Sequence, residues 1–358
     1  RRLQTALKII AQYDLLILAE DNVGYETAVW IKAAHSRGIP AVIVPFTVAT
    51  ALEPAESIFG NRAYSIKKIG NRLAGKFYPH WVYTHKGRKL VRLPAPQILA
   101  KEWLGISSPA PWIMNAGDAD AIAVESEMML RHYRREGIAD DRLVMTGALT
   151  DDRLVATRSD ACGMYARLCE QLGFDRERPL ILCALPPDQL LFNKDQTNFN
   201  NYSEMVEFWI RTLMALPGWN VVLKLHPRTS LDEIAHIEQF GVKVSSWDTV
   251  DLVPLCRIFV ASVSATIRWA IACGIPVINF DVYRLGYTDY AEAKGVLTVE
   301  KKSEFSRLIR KLAGDPLFYK EIRTIQEAAG PAWGILDGKS ADRMLCLFSD
   351  MMKSSSPV

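Results

Sequence analysis

Residues 258–280 read IFVASVSATIRWAIACGIPVINF, a pattern of strand, helix and strand. Its apolar run Ile258–Ala261 predicts a buried strand, and residues 265–273 have the apolar spacing of a helix. Gly274-Ile275-Pro276 then leads into a second apolar run, Val277–Phe280. Two strands joined through a helix by short turns predict a parallel pair with a right-handed crossover.

The same order of elements occurs near the start of the chain. The apolar run Asp14–Ala19 is followed by a helical segment, Thr27–Ser36. Gly38-Ile39-Pro40 then leads into Ala41–Val44. This repetition predicts the α/β class, with two Rossmann-like domains that face a central cleft, each built on a parallel sheet with helices on both faces.

The length of 358 residues also predicts two domains. We expect a first domain over residues 1–157, a linker at Phe174–Pro179, and a second domain over 179–315. Residues 316–358 predict C-terminal helices that pack back across the first domain. A charged helix directly precedes the first good strand, so the first sheet lacks its usual opening strands and we expect further residues upstream of Arg1.

Composition excludes several classes of protein. The chain has 43 basic and 40 acidic side chains, a balance that disfavours a nucleic-acid coat. Apolar runs are too short to cross a bilayer and no signal-peptide core is present, so we expect a soluble, cytoplasmic protein. The six cysteines form no CxxC pair, and we expect neither disulfides nor zinc. Motifs for nicotinamide binding, P-loop hydrolysis, zinc proteolysis and serine hydrolysis are absent.

A basic loop follows the predicted strand around Val222. It places Lys224, His226 and Arg228 within five residues, at the end of the strand where α/β sheets bind ligands. Two cations beside an imidazole suit a phosphate or diphosphate. The alternative is a solvated strand end that happens to be basic.

A hydroxyl-rich turn lies between the strand Ile258–Ala261 and the helix that follows. Ser262, Ser264 and Thr266 stand where unpaired backbone N–H groups of a helix start could receive an anion. The alternative is simple helix capping, which accounts for one of the three hydroxyls. Together with the basic loop, this turn predicts a two-sided phosphate clamp.

Two further residues are candidates for contact with the same ligand. Gln189 lies in the loop after the first strand of the second domain, and an ordinary turn is the alternative. Trp247 follows a short strand and could stack on a nucleobase, whereas packing against the protein is the alternative.

The first domain offers a candidate general base. Glu20 and Asp21 follow the first strand and precede Gly24, which opens a helix, so a carboxylate would face the cleft. The alternative is that Asp21 or Asn22 caps that helix.

A basic segment interleaved with aromatic residues separates Glu56 from Glu102, and no acidic residue lies between these two. The basic residues assigned to an acceptor or membrane surface are Lys67, Lys68, Arg72, Lys76 and Arg88. Such a segment suits an anionic acceptor or peripheral contact with an anionic membrane. Nucleic acid is not expected, because no nucleic-acid-binding motif accompanies the charge. The alternative is a solvent-exposed segment in which some aromatic residues are packed.

Taken together, these residues resemble the GT-B glycosyltransferases of bacterial surface polysaccharides, the group of capsule Kdo transferases, polysialyltransferases and CDP-glycerol glycerophosphotransferases. The resemblance is carried by His226-Pro227 and by the turn from Ser262 to Thr266. It implies that these residues bind the donor nucleotide's phosphate and that Glu20 or Asp21 deprotonates the acceptor. It also implies transfer without a metal or other cofactor, from a nucleotide sugar, CMP-linked by preference, to a capsule or lipopolysaccharide glycan or glycolipid at the inner face of the membrane.

Two other functions stay open. Val144-Met145-Thr146-Gly147 resembles the strand before the domain link in UDP-N-acetylglucosamine 2-epimerases, which would make the chain an isomerase. A noncatalytic glycan-binding subunit is the third possibility, and it would bind an acceptor without turning over a nucleotide sugar.

Overall fold

The computed structural model describes residues 2–45, 52–190, 197–230 and 232–354 of the chain. These residues form two compact units. Unit 1 runs to Ala148 and also takes in the residues from Lys339 onward, whereas unit 2 spans Leu149–Gly338. Both units are built on parallel sheets, and the chain has the predicted α/β fold of two Rossmann-like units.

Unit 1 is built around a four-stranded parallel sheet with the order β1-β2-β5-β6. The strands of this unit are β1 (Leu16–Leu18), β2 (Ala41–Ile43), β3 (Val82–His85), β4 (Arg88–Val91), β5 (Ala121–Val124) and β6 (Leu143–Met145). Its helices before residue 148 are α1 (Arg2–Ile10), α2 (Thr27–His35), α3 (Leu52–Ile58), α4 (Ile69–Phe77), α5 (Ala95–Leu104) and α6 (Glu127–Arg135), with 3₁₀ turns at Arg62–Tyr64, Pro79–Trp81 and Asp140–Arg142. All four residues of β5 are buried, as expected of a strand covered on both faces.

An insertion between β2 and β5 carries its own small core. Strands β3 and β4 form an antiparallel hairpin, and its two-residue turn, Lys86-Gly87, has positive φ at both positions. Trp81 is fully buried between this hairpin and α5, and its indole N–H donates to Glu102 Oε1 at 2.6 Å. The basic segment with interleaved aromatic residues that the sequence predicts lies in this insertion, whose hairpin was not predicted.

Unit 2 is built around a six-stranded parallel sheet with the order β12-β11-β10-β7-β8-β9. Its strands are β7 (Leu180–Ala184), β8 (Asn220–Lys224), β9 (Lys243–Val244), β10 (Ile258–Ala261), β11 (Val277–Phe280) and β12 (Val296–Val299). Its helices are α7 (Leu149–Ser159), α8 (Ala161–Leu172), α9 (Tyr202–Met214), α10 (Thr249–Leu252), α11 (Ile267–Ala272), α12 (Lys302–Gly314) and α13 (Pro316–Trp333), with 3₁₀ segments at Asp232–Phe240 and Val253–Leu255. Aromatic stacking fills one side of the sheet, where the rings of Phe280 and Phe305 lie 4.6 Å apart.

A buried ion pair ties three segments of unit 2 together. Arg268 Nη2 on α11 lies 2.8 Å from Asp151 Oδ1 on α7, and the side chains are 6% and 0% exposed. Arg268 Nη1 also donates to the carbonyl of Trp333 at the end of α13, at 2.9 Å. The other oxygen of Asp151 accepts the backbone N–H of Ile335. Charges buried this completely are stable only because they are paired and hydrogen-bonded.

The division between units differs from the sequence prediction at both boundaries. The expected linker Phe174–Pro179 lies inside unit 2, as do α7 and α8, which precede it. The predicted C-terminal helices separate: α13 belongs to unit 2, whereas the last helix, α14 (Ser340–Ser354), belongs to unit 1. Arg343 of α14 donates from Nε to the carbonyl of Thr146, at 2.7 Å. Residues 355–358 lie outside the described residues.

Candidate functional site

The predicted phosphate-binding residues of unit 2 lie at one edge of its sheet. Ala184, the last residue of β7, is in register with Lys224 of β8 on one side and with Ala261 of β10 on the other. Because these strands are parallel, their carboxyl ends lie side by side, and β8 and β10 are about 10 Å apart across β7. The basic loop and the hydroxyl turn therefore flank the loop that follows β7.

In the basic loop, His226 is held in one tautomer. Its Nδ1 accepts the backbone N–H of Arg228 at 3.1 Å, so the neutral ring carries its proton on Nε2. Burial, and then the positive charge of Arg228, lower the pKa of His226 below its usual value. The backbone N–H of Thr229 closes the turn onto the His226 carbonyl at 2.8 Å. At neutral pH this residue is a neutral donor beside the half-buried Lys224 and the exposed Arg228.

The hydroxyl turn has a strained backbone and one hydroxyl without a partner. Val263 has φ of 43°, in the left-handed region that a β-branched residue rarely adopts. Ser264 Oγ and Thr266 Oγ1 are hydrogen-bonded to each other at 2.8 Å. Ser262 Oγ is buried and has no hydrogen-bond partner among the described residues. A buried hydroxyl in this state is costly unless a ligand or solvent satisfies it.

The helix after this turn is shorter than predicted. It covers only six residues, Ile267–Ala272, and Thr266 makes no side-chain capping bond to it. A helix this short has a small dipole, so the prediction that a helix start supplies the anion site is weakened. If a phosphate binds here, its partners are the hydroxyls and the backbone of the turn and not the start of the helix.

Two residues that the sequence analysis missed hold the hydroxyl turn. Asn279, buried at the end of β11, accepts the backbone N–H of Val263 at 2.8 Å through Oδ1. Tyr290 donates its hydroxyl to the Ser264 carbonyl at 3.0 Å. A buried Asn within the apolar run Val277–Phe280 was the only signal in the sequence that could have pointed to this support.

The loop after β7 is anchored by two tyrosines. Tyr202 donates its hydroxyl to the Pro186 carbonyl, and Tyr283 donates to the Pro187 carbonyl, both at 2.7 Å. Gln189, a predicted donor-binding residue, gives its backbone N–H to the Tyr283 hydroxyl at 3.3 Å. The structure thus places the Gln189 backbone beside Tyr283, which follows β11.

Trp247 is engaged in packing within unit 2. It follows β9, the strand next to β8, and its indole N–H donates to Gln171 Oε1 of α8 at 2.8 Å. The ring is half-buried. Stacking on a nucleobase remains a prediction for this residue, and its hydrogen bond to α8 fixes where the ring can lie.

In unit 1, the two candidate bases have different environments. Asp21 is buried, and burial is the main reason that its pKa lies above the usual value. The nearby Asp118 also raises the pKa, whereas Thr27, Lys101 and Arg142 lower it. Glu20 is more open, and desolvation raises its pKa too. Both carboxyls follow β1, the edge strand of the sheet.

A network that was not predicted positions Asp21. The Asp21 backbone N–H donates to Asn115 Oδ1 at 2.8 Å, and Asn115 returns its own backbone N–H to the Asp21 carbonyl at 3.0 Å. The Thr27 hydroxyl donates to Asp21 Oδ1 at 2.8 Å. Asn115 has φ of 65° and its side-chain amide donates to the Tyr133 hydroxyl. The Asp21 carboxyl thus accepts a hydrogen bond, and its backbone is held by Asn115. Asp21 does not cap α2, because the start of that helix has no side-chain capping bond.

The predicted acceptor or membrane residues all lie on the insertion in unit 1. All five side chains are exposed: Lys67, Lys68, Arg72, Lys76 and Arg88. Arg88 stands apart from the others because its guanidinium lies over the Phe59 ring, 4.9 Å from the ring centre. In the described ranges, no group of three or more His, Cys, Asp or Glu side chains is arranged to hold a metal ion.

No family model and no curated protein matches this sequence. Solved structures nevertheless have a similar fold. The wall teichoic acid polymerase TagF superposes with a TM-score of 0.53 at 12% identity, over 89% of this chain and 70% of TagF. A complex of S. aureus MnaA with UDP gives 0.55 at 13% identity, over 98% and 78%.

A UDP-N-acetylglucosamine 2-epimerase is similar to the same degree, with a TM-score of 0.53 at 16% identity, over 100% of this chain and 78% of the epimerase. At these identities the likeness concerns the fold. The two parallel sheets, their strand orders and these neighbours together show that the chain has the GT-B fold.

Proposed function

We propose that the protein transfers a sugar from a nucleotide-activated donor to a hydroxyl of a surface glycan, without a metal in the chemical step. Unit 2 binds the donor and unit 1 supplies the base that acts on the acceptor. The observation that carries this proposal is the register of Ala184 with both Lys224 and Ala261, which brings the basic loop and the hydroxyl turn to one sheet edge.

The donor phosphate has three kinds of partner at this edge. The Nε2–H group of His226 can donate a hydrogen bond, Lys224 and Arg228 supply positive charge, and Ser262 Oγ is a buried hydroxyl that needs a partner. As the bond from the anomeric carbon to the phosphate oxygen breaks, its electron pair stays on the nucleotide. Preorganised donors and cations stabilise that growing charge.

The acceptor must lose a proton as its oxygen forms the new bond to the anomeric carbon. Asp21 takes that proton, since its raised pKa makes it a stronger base than an ordinary carboxylate. The Thr27 hydroxyl donates to the carboxyl, and the two hydrogen bonds with Asn115 fix the Asp21 backbone. Glu20, beside it, is the second candidate for this role.

The donor is proposed to carry CMP, as the sequence resemblance to surface-polysaccharide transferases suggests. TagF, which builds wall teichoic acid, supports a transferase on this fold. MnaA was solved with UDP, so a uridine nucleotide is the competing donor. The acceptor is proposed to be a capsule or lipopolysaccharide glycan.

A thermal-shift experiment tests the donor site. CMP, CDP and UDP are added separately, and a bound nucleotide at a hundredfold excess over Kd should add about 2.7 kcal/mol to the free energy of unfolding. His226→Ala should abolish the shift, whereas His35→Ala, on the exposed face of α2, should keep it. A shift that survives His226→Ala unchanged would show that the site is elsewhere.

Epimerisation is the second candidate function, favoured by the similarity to the UDP-N-acetylglucosamine 2-epimerase. An epimerase would convert a UDP-sugar with no acceptor present, whereas a transferase releases nucleotide only when an acceptor is added. A noncatalytic glycan-binding subunit would bind the glycan and do neither. Chromatography of the nucleotide products separates the three outcomes.

A further inference from the structure

Helices α4 and α5 of unit 1 expose large apolar side chains to solvent. On α4 these are Ile69, Leu73 and Phe77, spaced four residues apart, and Ile69 and Phe77 are each 70% exposed. On α5 three such residues are exposed, and two of them, Leu99 and Trp103, have the same spacing; Trp103 is 85% exposed. Residues four apart lie on one face of a helix, so each helix presents an apolar stripe. We call these five residues the apolar face.

The two helices are fastened to each other and to the insertion by their other faces. Asn71 of α4 is buried, and its Oδ1 accepts the backbone N–H of Ala95 at the start of α5, at 2.9 Å. Ala74 and Ile98 are buried with Trp81 in the core of the insertion. The apolar face is therefore additional to the side chains that hold the helices in place, and it leaves much of its area in water.

Positive charge lies beside the α4 part of this apolar face. Lys67 and Lys68 precede α4, and Arg72 and Lys76 lie on it, beside the apolar stripe. Within the described ranges, none of the four forms an ion pair, and all four are exposed.

The nearest acidic residues in sequence are already engaged with other side chains. Glu56 pairs with His85 and Lys86 of the hairpin. Glu102 accepts hydrogen bonds from Trp81 and Ser107. Because Glu56 and Glu102 are paired, the unpaired charge beside α4 is positive among the described residues.

We propose that the apolar face docks on an anionic lipid bilayer, with α4 and α5 lying in its interface. Leu73, Phe77 and Trp103 enter the boundary between headgroups and acyl chains, and the four cations contact lipid phosphates. Amphipathic helices with aromatic and basic side chains bind membranes in this way. Within the described part of the chain, no helix combines the length and apolar composition needed to cross a bilayer.

The chemistry of the surface favours lipid over other partners. A glycan acceptor would bring hydroxyls against Ile69 and Leu73, which offer no hydrogen bonds in return. A second copy of the chain would bring two identical sets of four cations together, and like charges repel. An anionic bilayer matches both the apolar side chains and the sign of the charge. This inference does not depend on the proposed sugar transfer.

Flotation with vesicles tests the proposal. The full chain is mixed with phosphatidylcholine vesicles, with or without phosphatidylglycerol, and binding is expected only when the anionic lipid is present. The variant Leu73→Ser/Phe77→Ser/Trp103→Ser should weaken binding by roughly tenfold for each side chain. Lys68→Glu/Arg72→Glu/Lys76→Glu should weaken it by at least roughly fivefold for each charge removed. Added salt should weaken the wild-type interaction as well.

Matched controls use exposed residues of unit 2. Leu317→Ser removes a side chain that is 80% exposed, and Arg307→Glu/Arg310→Glu/Lys320→Glu reverses three exposed charges. Both should bind vesicles like the wild type. The far-UV circular dichroism and the thermal unfolding midpoint, measured on every variant without a nucleotide, show that each one folds.

Three results would overturn the proposal. The first is that the wild type fails to float with anionic vesicles. The second is that the triple-serine variant floats as well as the wild type. The third is a concentration-dependent dimer in solution that the triple-serine variant disperses, which would assign the apolar face to a second copy of the chain.

Discussion

Asp21 Oδ2 occupies the space over Gly117, where a Cβ would lie only 1.7 Å from it. Any side chain at position 117 must therefore displace the carboxyl. Gly117→Ala is expected to lower the free energy of unfolding by about 1–3 kcal/mol through overpacking. The same substitution should also impair turnover, because it moves the proposed base.

Gly60→Ala is the matched control, because nothing lies within 4 Å of a Cβ built there. Its effect on the free energy of unfolding should stay within about 0.5 kcal/mol. Urea denaturation of the two variants measures the difference. Equal stability of Gly117→Ala and Gly60→Ala would contradict the close contact with Asp21.

Asp21→Asn should change how stability depends on pH. The folded protein raises the pKa of Asp21, so it binds a proton more tightly than the unfolded chain does. Linkage then requires that the stability contributed by this residue is present at low pH and is lost as pH rises from about 4 through the raised pKa. The variant does not lose this stability as pH rises, and its asparagine can still accept the hydrogen bond from the Thr27 hydroxyl.

Denaturation of wild type and Asp21→Asn across this pH range gives the comparison. The wild type should lose stability relative to the variant as pH rises. If Asp21 is also the base, the variant folds but turnover is abolished, and the wild-type rate falls as pH drops through the raised pKa. A variant that keeps full turnover would move the role of base to Glu20.

Breaking the buried pair of Arg268 and Asp151 should be far more damaging than breaking a surface pair. Asp151→Ala leaves the Arg268 guanidinium buried without its carboxylate and is expected to cost about 3–5 kcal/mol. Arg153→Ala removes an exposed pair with Asp251 and should cost at most about 1 kcal/mol. Urea denaturation of both variants tests the contrast, and comparable losses would contradict it.

Asn279→Ala should weaken nucleotide binding without removing any proposed ligand contact. Asn279 Oδ1 holds the strained backbone of Val263, so its loss frees the hydroxyl turn. The nucleotide-dependent thermal shift should shrink, and Asn279→Asp, which keeps the acceptor oxygen, should restore part of it. A full shift in Asn279→Ala would show that the turn does not need this support.

The two sheets were predictable from the sequence because their strands are continuous apolar runs with Gly and Pro at the turns. Val277–Phe280, for example, is buried at all four positions. The hairpin of the insertion was not predicted, because Lys86-Gly87 is not one of the common turn pairs and basic residues interrupt the alternation of β4.

The residue types of the candidate site were predictable from the sequence, but the residues that hold them in place were not. Lys224 and Ser262 stand out because they end apolar strands. Asn115 and Asn279 act through hydrogen bonds to residues 94 and 16 positions away, and no local pattern encodes such partners. The exposure of the apolar stripe on α4 was not predictable from the sequence, because the same spacing of apolar residues is typical of a helix that packs into a core.

The return of α14 to unit 1 constrains the order in which the protein can be completed during synthesis. Thr146 finds its partner Arg343 only after the ribosome has translated all of unit 2. Until then the Thr146 carbonyl lacks this partner, whereas every residue of unit 2 has already been translated. A stop codon just before α14 would therefore leave unit 1 incomplete, although its sheet is translated first, and would leave unit 2 whole.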